Sequence, residues 1–190
     1  MNAYNIHVIG IGGLGSKMIA FIQQKGIKAK YSYINDETLS GIKPDTNFIE
    51  FIPKGEYIIK NGYKIRFTDW SAKIHLPENV YNILMPNDKY IIIAGLGGYT
   101  GTYITEEVAK LLKIGNKTFS IICSMPFNVE GQQRFKIANE FREKFSNYHN
   151  FICFEHDKLV NRYGNMKLAE ALKKGNEELF ILFNRQYSSI

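Results

Sequence analysis

Short apolar blocks along the chain alternate with stretches in which apolar residues recur every three or four positions. Residues 5–10, 29–34, 90–94, 118–124 and 150–154 are brief and rich in β-branched or aromatic side chains, and they predict strands. The block Tyr90-Ile91-Ile92-Ile93-Ala94 is apolar on both alternations, as in a central strand covered on both faces. Residues 16–25, 102–113, 130–145 and 165–183 carry the helical period; in the second of these, Ile104, Val108, Leu111 and Leu112 share one face. In the last, Leu168, Leu172, Leu179 and Phe183 form the predicted buried stripe, with Asn176 on it. Strand and helix alternate strictly, which predicts an α/β fold: a Rossmann-like, mostly parallel sheet with helices on both faces and right-handed crossovers. Residues 37–88 are the least informative. There Asn61-Gly62 predicts a hairpin turn between 57–60 and 63–67, and Pro77 suits the first position of a short helix through Leu84.

Two strand-to-helix turns hold the candidate chemistry. Gly10, Gly12, Gly13 and Gly15 precede Ser16, and Gly95, Gly97, Gly98 and Gly101 are interleaved with Tyr99, Thr100 and Thr102. Glycine lets the backbone turn tightly and approach a ligand, and the free N–H groups of a helix start favour an anion. The first turn by itself matches G-x-G-x-x-G, with Asp36 in position for a ribose acid. On that evidence a nucleotide loop, an NAD-binding domain, an adenylating ThiF/E1-like enzyme and a plain tight turn all remain open. Glu130 and Arg134, four apart at a predicted helix start, suit either a ligand contact or a surface ion pair. Asn176 on an apolar stripe needs partners, and its amide both donates and accepts.

The segment Gly97-Gly98-Tyr99-Thr100-Gly101-Thr102 resembles the GGGTGTG signature of the tubulin and FtsZ GTPases, with Tyr99 and Tyr103 where FtsZ has glycine. Further motifs follow in the family's order. Pro126-Phe127-Asn128-Val129-Glu130-Gly131-Gln132-Gln133-Arg134 is similar to PFxxEGxxR, and Glu155-His156-Asp157-Lys158-Leu159 resembles the PNDRL loop. The resemblance implies a tubulin/FtsZ-type nucleotide-binding domain filling residues 1–190, with GTP or GDP as ligand and Mg²⁺ accompanying GTP. It implies phosphate contacts at Gly12, Gly13, Gly15, Ser16, Gly97, Gly98, Tyr99, Thr100, Gly101 and Thr102, and ribose contacts at Glu130 and Arg134. Base contacts would fall to Lys17, His156, Leu172 and Asn176.

Departures from the family pattern accompany these matches. Leu172 stands where FtsZ stacks a Phe, His156 where it has an Asn, and Lys17 near another Asn. The loop that closes over the γ-phosphate has no clear counterpart; Thr68-Asp69-Trp70-Ser71-Ala72 is the nearest by position. No Asp or Glu follows Glu178, the family's second domain has no counterpart, and no Walker lysine follows a glycine loop. The expectation is a nucleotide binder with weak or no turnover alone, acting through nucleotide-dependent protein interaction. The alternatives are a Rossmann-type enzyme, adenylating or NAD-dependent, and a pseudo-GTPase scaffold with an empty site.

Composition narrows the partners. The formal charge of +6 comes from 24 Lys and Arg scattered without a single basic block, which suits a solvated surface and a phosphate-bearing ligand better than nucleic acid. Cys123 and Cys153 each lie in a predicted strand and read as core residues of a reduced protein; no metal-ligand spacing appears. No apolar run approaches the roughly 20 residues of a membrane span, so a soluble, cytoplasmic protein is expected. Leu179-Phe180-Ile181-Leu182-Phe183 is apolar all round its helix, which predicts self-association or a protein partner docking at Phe180 and Ile181.

Overall fold

The computed structural model describes residues 5–60, 63–69, 74–164 and 167–190. Its strands are β1 (Ile6–Ile11), β2 (Lys30–Asn35), β3 (Asn47–Glu50), β4 (Gly55–Lys60), β5 (Tyr63–Thr68), β6 (Lys89–Gly95), β7 (Thr118–Met125) and β8 (Phe151–Glu155). The helices are α1 (Gly12–Gln24), α2 (Asn79–Leu84), α3 (Thr105–Ile114), α4 (Gln132–Phe145), α5 (Asp157–Tyr163) and α6 (Leu168–Ser189). Six strands form one parallel sheet in the order β3-β2-β1-β6-β7-β8, while β4 and β5 pair antiparallel as a separate hairpin. The order reverses between β1 and β6. In a doubly wound sheet that reversal opens a crevice at the carboxyl ends of the two strands.

Each central strand feeds two cores. Ile9, Ile11, Tyr90, Ile92, Ile121 and Cys123 face Val80, Leu84, Val108, Leu112, Ala138 and Phe141 of α2, α3 and α4. On the other face Val8, Ile91, Ile93 and Ile122 meet Met18, Ile19 and Ile22 of α1 and Leu179 and Phe183 of α6. Burial on both faces explains the unbroken apolar run of β6, in which Tyr90 to Ala94 are fully buried. The α/β architecture read from the sequence is the one observed.

Several boundaries differ from expectation. The first helix begins at Gly12 rather than Ser16, so the glycines form its opening turn. The helix after β6 opens with a wide π turn over Thr100–Ile104 before becoming α-helical. Gly131, at φ 103°, breaks the predicted 130–145 helix, leaving Asn128–Glu130 as a separate 3₁₀ turn. The edge strand β3 and the short helix α5 have no counterpart in the sequence reading. The Asn61-Gly62 turn, Trp70-Ser71-Ala72 of the candidate γ-phosphate segment and the expected helix start at Asn165 lie outside the described residues.

In α6 the predicted stripe holds at Leu179 and Phe183 and fails at Leu172, and the Leu168 side chain lies outside the described residues. Ala171, Gly175, Leu179 and Phe183 are buried, whereas Leu172 is 44% exposed and Asn176 is partly buried beside it. The helix approaches its neighbours closely through small residues, so its apolar period understates the contact. The expected exposed pair at the end of this helix is corrected too. Phe180 packs edge-on against Phe21 at 5.6 Å, with the Lys25 ammonium 5.2 Å from the Phe21 centroid, whereas Ile181 is 46% exposed. Cys123 is buried and Cys153 half-buried, both free thiols; burial pushes both thiols up, Cys153 to about 11. Among the described residues no helix is long and apolar enough to cross a membrane.

Candidate functional site

The crevice at the β1/β6 switch point is a cleft of about 710 Å³, within the range of small-molecule sites. One wall comes from the first turn of α1, where Gly12, Gly13 and Leu14 line the cleft and Lys17 follows one turn on. Their N–H groups belong to a helix start and have no intrahelical acceptor. The opposite wall is the turn after β6, with Gly98, Tyr99, Thr100 and Gly101. A second helix start therefore faces the same space, and both positive dipole ends favour an anion there. The two loops touch: a Cβ on Gly12, at φ +70°, would stand 3.2 Å from the Gly101 nitrogen.

Not every glycine or hydroxyl of these turns faces the cleft. Gly101 also packs on the end of β6, where a Cβ would collide with the Gly95 carbonyl, while a Cβ on Gly98 would meet nothing within 4 Å. Gly15, Ser16, Gly97 and Thr102 lie behind the walls. The Ser16 hydroxyl donates to the Gly12 carbonyl at 2.9 Å, and the Gly97 N–H donates to Thr102 Oγ1, also at 2.9 Å. Gly15 packs against the Ile93 carbonyl, which holds α1 close to the sheet. These four residues shape the loops from within.

Glu130 and Arg134 line the cleft from the next connection. Although Gly131 separates the 3₁₀ turn from α4, Arg134 Nη1 donates to Glu130 Oε2 at 2.6 Å. The other carboxylate oxygen accepts the Phe127 N–H at 2.9 Å, so Glu130 also fixes its own turn. Such a part-exposed ion pair adds only a few tenths of a kcal/mol to stability, roughly 0.3–0.5.

The far end is built from His156, Leu172 and Asn176. His156 is 3% exposed and stacks on Phe127 with centroids 4.7 Å apart and planes at 15°. Burial holds its imidazole below the usual range against the opposing pull of Glu130 and Asp157, and its Nδ1 is buried without a partner among the described residues. Gly175 permits this placement, because a Cβ there would lie 2.6 Å from His156 Cε1. A lone glycine inside a helical pattern is the signal that marks it in the sequence.

Asn35, Asp36 and Glu37 at the end of β2 complete the rim. The Asn35 amide donates to the Glu37 carbonyl at 3.2 Å. Above the second loop, Tyr99 stacks on Phe51 with planes at 8° and meets Tyr103 at 5.3 Å between centroids. Burial chiefly raises its phenol, helped by Asp69. The ring in the position that the signature gives to glycine thus ties the loop to the segment after β3.

No family model matches the chain. FtsZ 1 of Methanocaldococcus jannaschii is 30% identical over 180 residues, covering 92% of this chain and 48% of the relative. Among solved structures, the empty FtsZ dimer of M. jannaschii superposes with a TM-score of 0.70 at 26% identity, over 92% of this chain and 51% of that one. The chain has an FtsZ/tubulin-like fold. It spans about half the length of the curated relatives it matches. The GDP-bound CetZ1 monomer of Haloferax volcanii, at 18% identity, shares the FtsZ/tubulin-like fold with a TM-score of 0.60 over 92% of this chain and 57% of that one.

Proposed function

We propose that the cleft binds a guanine nucleotide and that the bound nucleotide controls an interaction with another protein or a second copy. The observation that carries this is convergence: residues from four separate motifs, Gly98 to Gly101, Glu130 with Arg134, His156 and Asn176, line one cleft with the first turn of α1. Under this proposal Gly12, Gly13 and residues 98–101 hold the phosphates with their backbone N–H groups and the Thr100 hydroxyl. Gly15, Ser16, Gly97 and Thr102 brace those loops. Glu130 and Arg134 take the ribose, and Lys17, His156, Leu172 and Asn176 surround the base. The residues fit such a ligand: two helix starts face the phosphate end, the space beside Gly98 is open, and the base end holds an unpartnered buried nitrogen. The CetZ1 neighbour is itself a GDP-bound protein.

Mg²⁺ with GTP is part of the proposal. This ion usually takes one or two carboxylates and completes its shell with phosphate oxygens and water. Asp36 and Glu37 at the rim are the residues that would serve it. The ion supplies charge neutralisation between phosphates, and the chain's own residues orient the nucleotide.

For the interaction, the exposed side of α6 at Ile181 is the proposed docking point. The FtsZ of M. jannaschii is described as a dimer, in keeping with self-association in this fold. The strand order and the G-x-G-x-x-G turn with Asp36 also suit a dinucleotide site. Against that, Gly98, Thr100 and Gly101 share the cleft, and a dinucleotide site leaves them without a role. Titration of the wild type and of Asn176→Ala with GTP and ATP in Mg²⁺ tests the proposal. Wild type should prefer GTP, and the variant should weaken GTP by about 1–3 kcal/mol, the cost of an unpaired polar group, with a smaller effect on ATP. Equal losses for both nucleotides would make Asn176 structural.

A further inference from the structure

A second concavity, of about 490 Å³, lies between α3 and α4. It sits beside the amino end of β7, whereas the nucleotide cleft is at the carboxyl ends of the strands. From Thr100 at the cleft to Lys113 at this groove is roughly 20 Å along the helix axis, at 1.5 Å per residue. We propose that this groove binds an acidic peptide segment carrying an apolar anchor side chain.

Charge is the first reason. Lys110, Lys113, Lys117 and Lys144 line the groove, against a single lining carboxylate, Glu106. Glu106 is shared: Lys110 and Lys144 both reach it at 2.9 Å, so among the described residues Lys144 has no carboxylate of its own. Lys110 also meets Glu107 at 2.8 Å, outside the lining. Lys117 pairs at 2.9 Å with Asp88, whose side chain is 89% exposed and can yield to an incoming carboxylate. Among the described residues Lys113 pairs with no carboxylate. An acidic segment laid across these lysines makes charge-assisted hydrogen bonds without first breaking a buried pair.

The floor is the second reason. Ala109, Phe119, Phe145 and Tyr148 line its base. Phe119 and Tyr148 stack with centroids 4.9 Å apart, and the Tyr148 hydroxyl donates to the Phe119 carbonyl at 2.8 Å, so the aromatic surface is fixed in place. A pre-ordered apolar floor inside a basic rim suits one leucine or phenylalanine flanked by Asp and Glu. A nucleic acid fits less well: single-strand sites stack bases on free ring faces, and here the two rings stack on each other beside a carboxylate.

The test uses fluorescence anisotropy of a short labelled peptide in which Asp and Glu flank a Leu-Phe pair, with nucleotide omitted so that the cleft plays no part. Wild type should bind it saturably. Lys113→Glu and the double variant Lys113→Glu, Lys117→Gln should bind at least about tenfold more weakly, a change of 1.4 kcal/mol. A peptide with Ser-Ser replacing Leu-Phe should lose a similar factor. Thermal melts followed by circular dichroism verify that the variants fold, and Lys113→Glu alone, at an exposed residue, keeps the test independent of the part-buried Lys117. No binding by wild type, equal affinity in folded variants, or equal affinity for the Ser-Ser peptide would overturn the proposal. So would tighter binding of a labelled single-stranded oligonucleotide that is lost in the same variants.

Discussion

Gly175 of α6 and His156 before α5 are packed so closely that a single added methyl would sit 2.6 Å from the imidazole Cε1. A glycine in a helix interior costs about 1 kcal/mol relative to alanine, so this position trades helix propensity for a neighbour. Gly175→Ala should therefore push His156 off its stack on Phe127 and disturb the base end of the cleft. The expected result is an intact far-UV spectrum, weaker guanine nucleotide binding and a displaced His156 ring signal by NMR. A variant that binds as wild type, with unmoved His156 resonances, would show that Gly175 is not what holds the imidazole in place.

The phosphate loop offers a cleaner pair. A side chain at Gly98 projects into open space, whereas one at Gly101 meets the Gly95 carbonyl. Gly98→Val should keep a melting temperature near that of wild type and abolish nucleotide uptake. Gly101→Val should lower the melting temperature as well. Undiminished binding by folded Gly98→Val would remove the loop from the phosphate site.

His7 supplies a pH dependence independent of the cleft. It is fully buried in β1, its Nε2 lies 2.8 Å from Ser32 Oγ, and burial, reinforced by Lys30, lowers its pKa from 6.5 to about 3. Between those values the unfolded chain binds a proton that the folded chain does not, so stability falls as pH drops from 6.5 toward 3 and is unaffected by this group above 6.5. The limiting slope is about 1.4 kcal/mol per pH unit. Urea unfolding of wild type and His7→Asn at several pH values checks this. The variant should be less stable at neutral pH yet show a shallower loss between pH 6.5 and 4.5. Parallel curves would contradict the assignment.

At the end of α6, Ile181→Lys is the informative substitution, because Phe180 is committed to Phe21 and its loss would damage the fold. Sedimentation of wild type should show association at high concentration, reduced in the variant. A strictly monomeric wild type, with nucleotide bound and without, would exclude self-association through this face.

The central sheet was legible because β1, β6 and β7 are buried on both sides: β6 is an unbroken apolar run from Tyr90 to Ala94, and β1 and β7 are mostly apolar, broken by His7, Ser120 and Ser124. The edge strand β3 was not: Asn47 and Glu50 at its ends are a half-buried and an exposed polar residue, so four residues carry no period. The line of α6 was misread at Leu172 for a related reason. Ala171 and Gly175 make its close contacts, and small residues leave little mark in a hydrophobic pattern. Within the candidate site, short motifs identified the connections but not which residues face the cleft. Ser16 and Thr102 turn inward to bond their own loops, while Glu37, which belongs to no motif, reaches the rim beside Asn35 and Asp36.

The most direct measurement of nucleotide binding is the identity of the small molecule released when the purified protein is denatured, read by ion-pair chromatography against standards. GTP or GDP, in an amount comparable to the protein, is the expected result, with uptake of the same nucleotide on titration if the preparation is empty. Release of NAD or ATP, or an empty protein that takes up no guanine nucleotide in Mg²⁺, would contradict it.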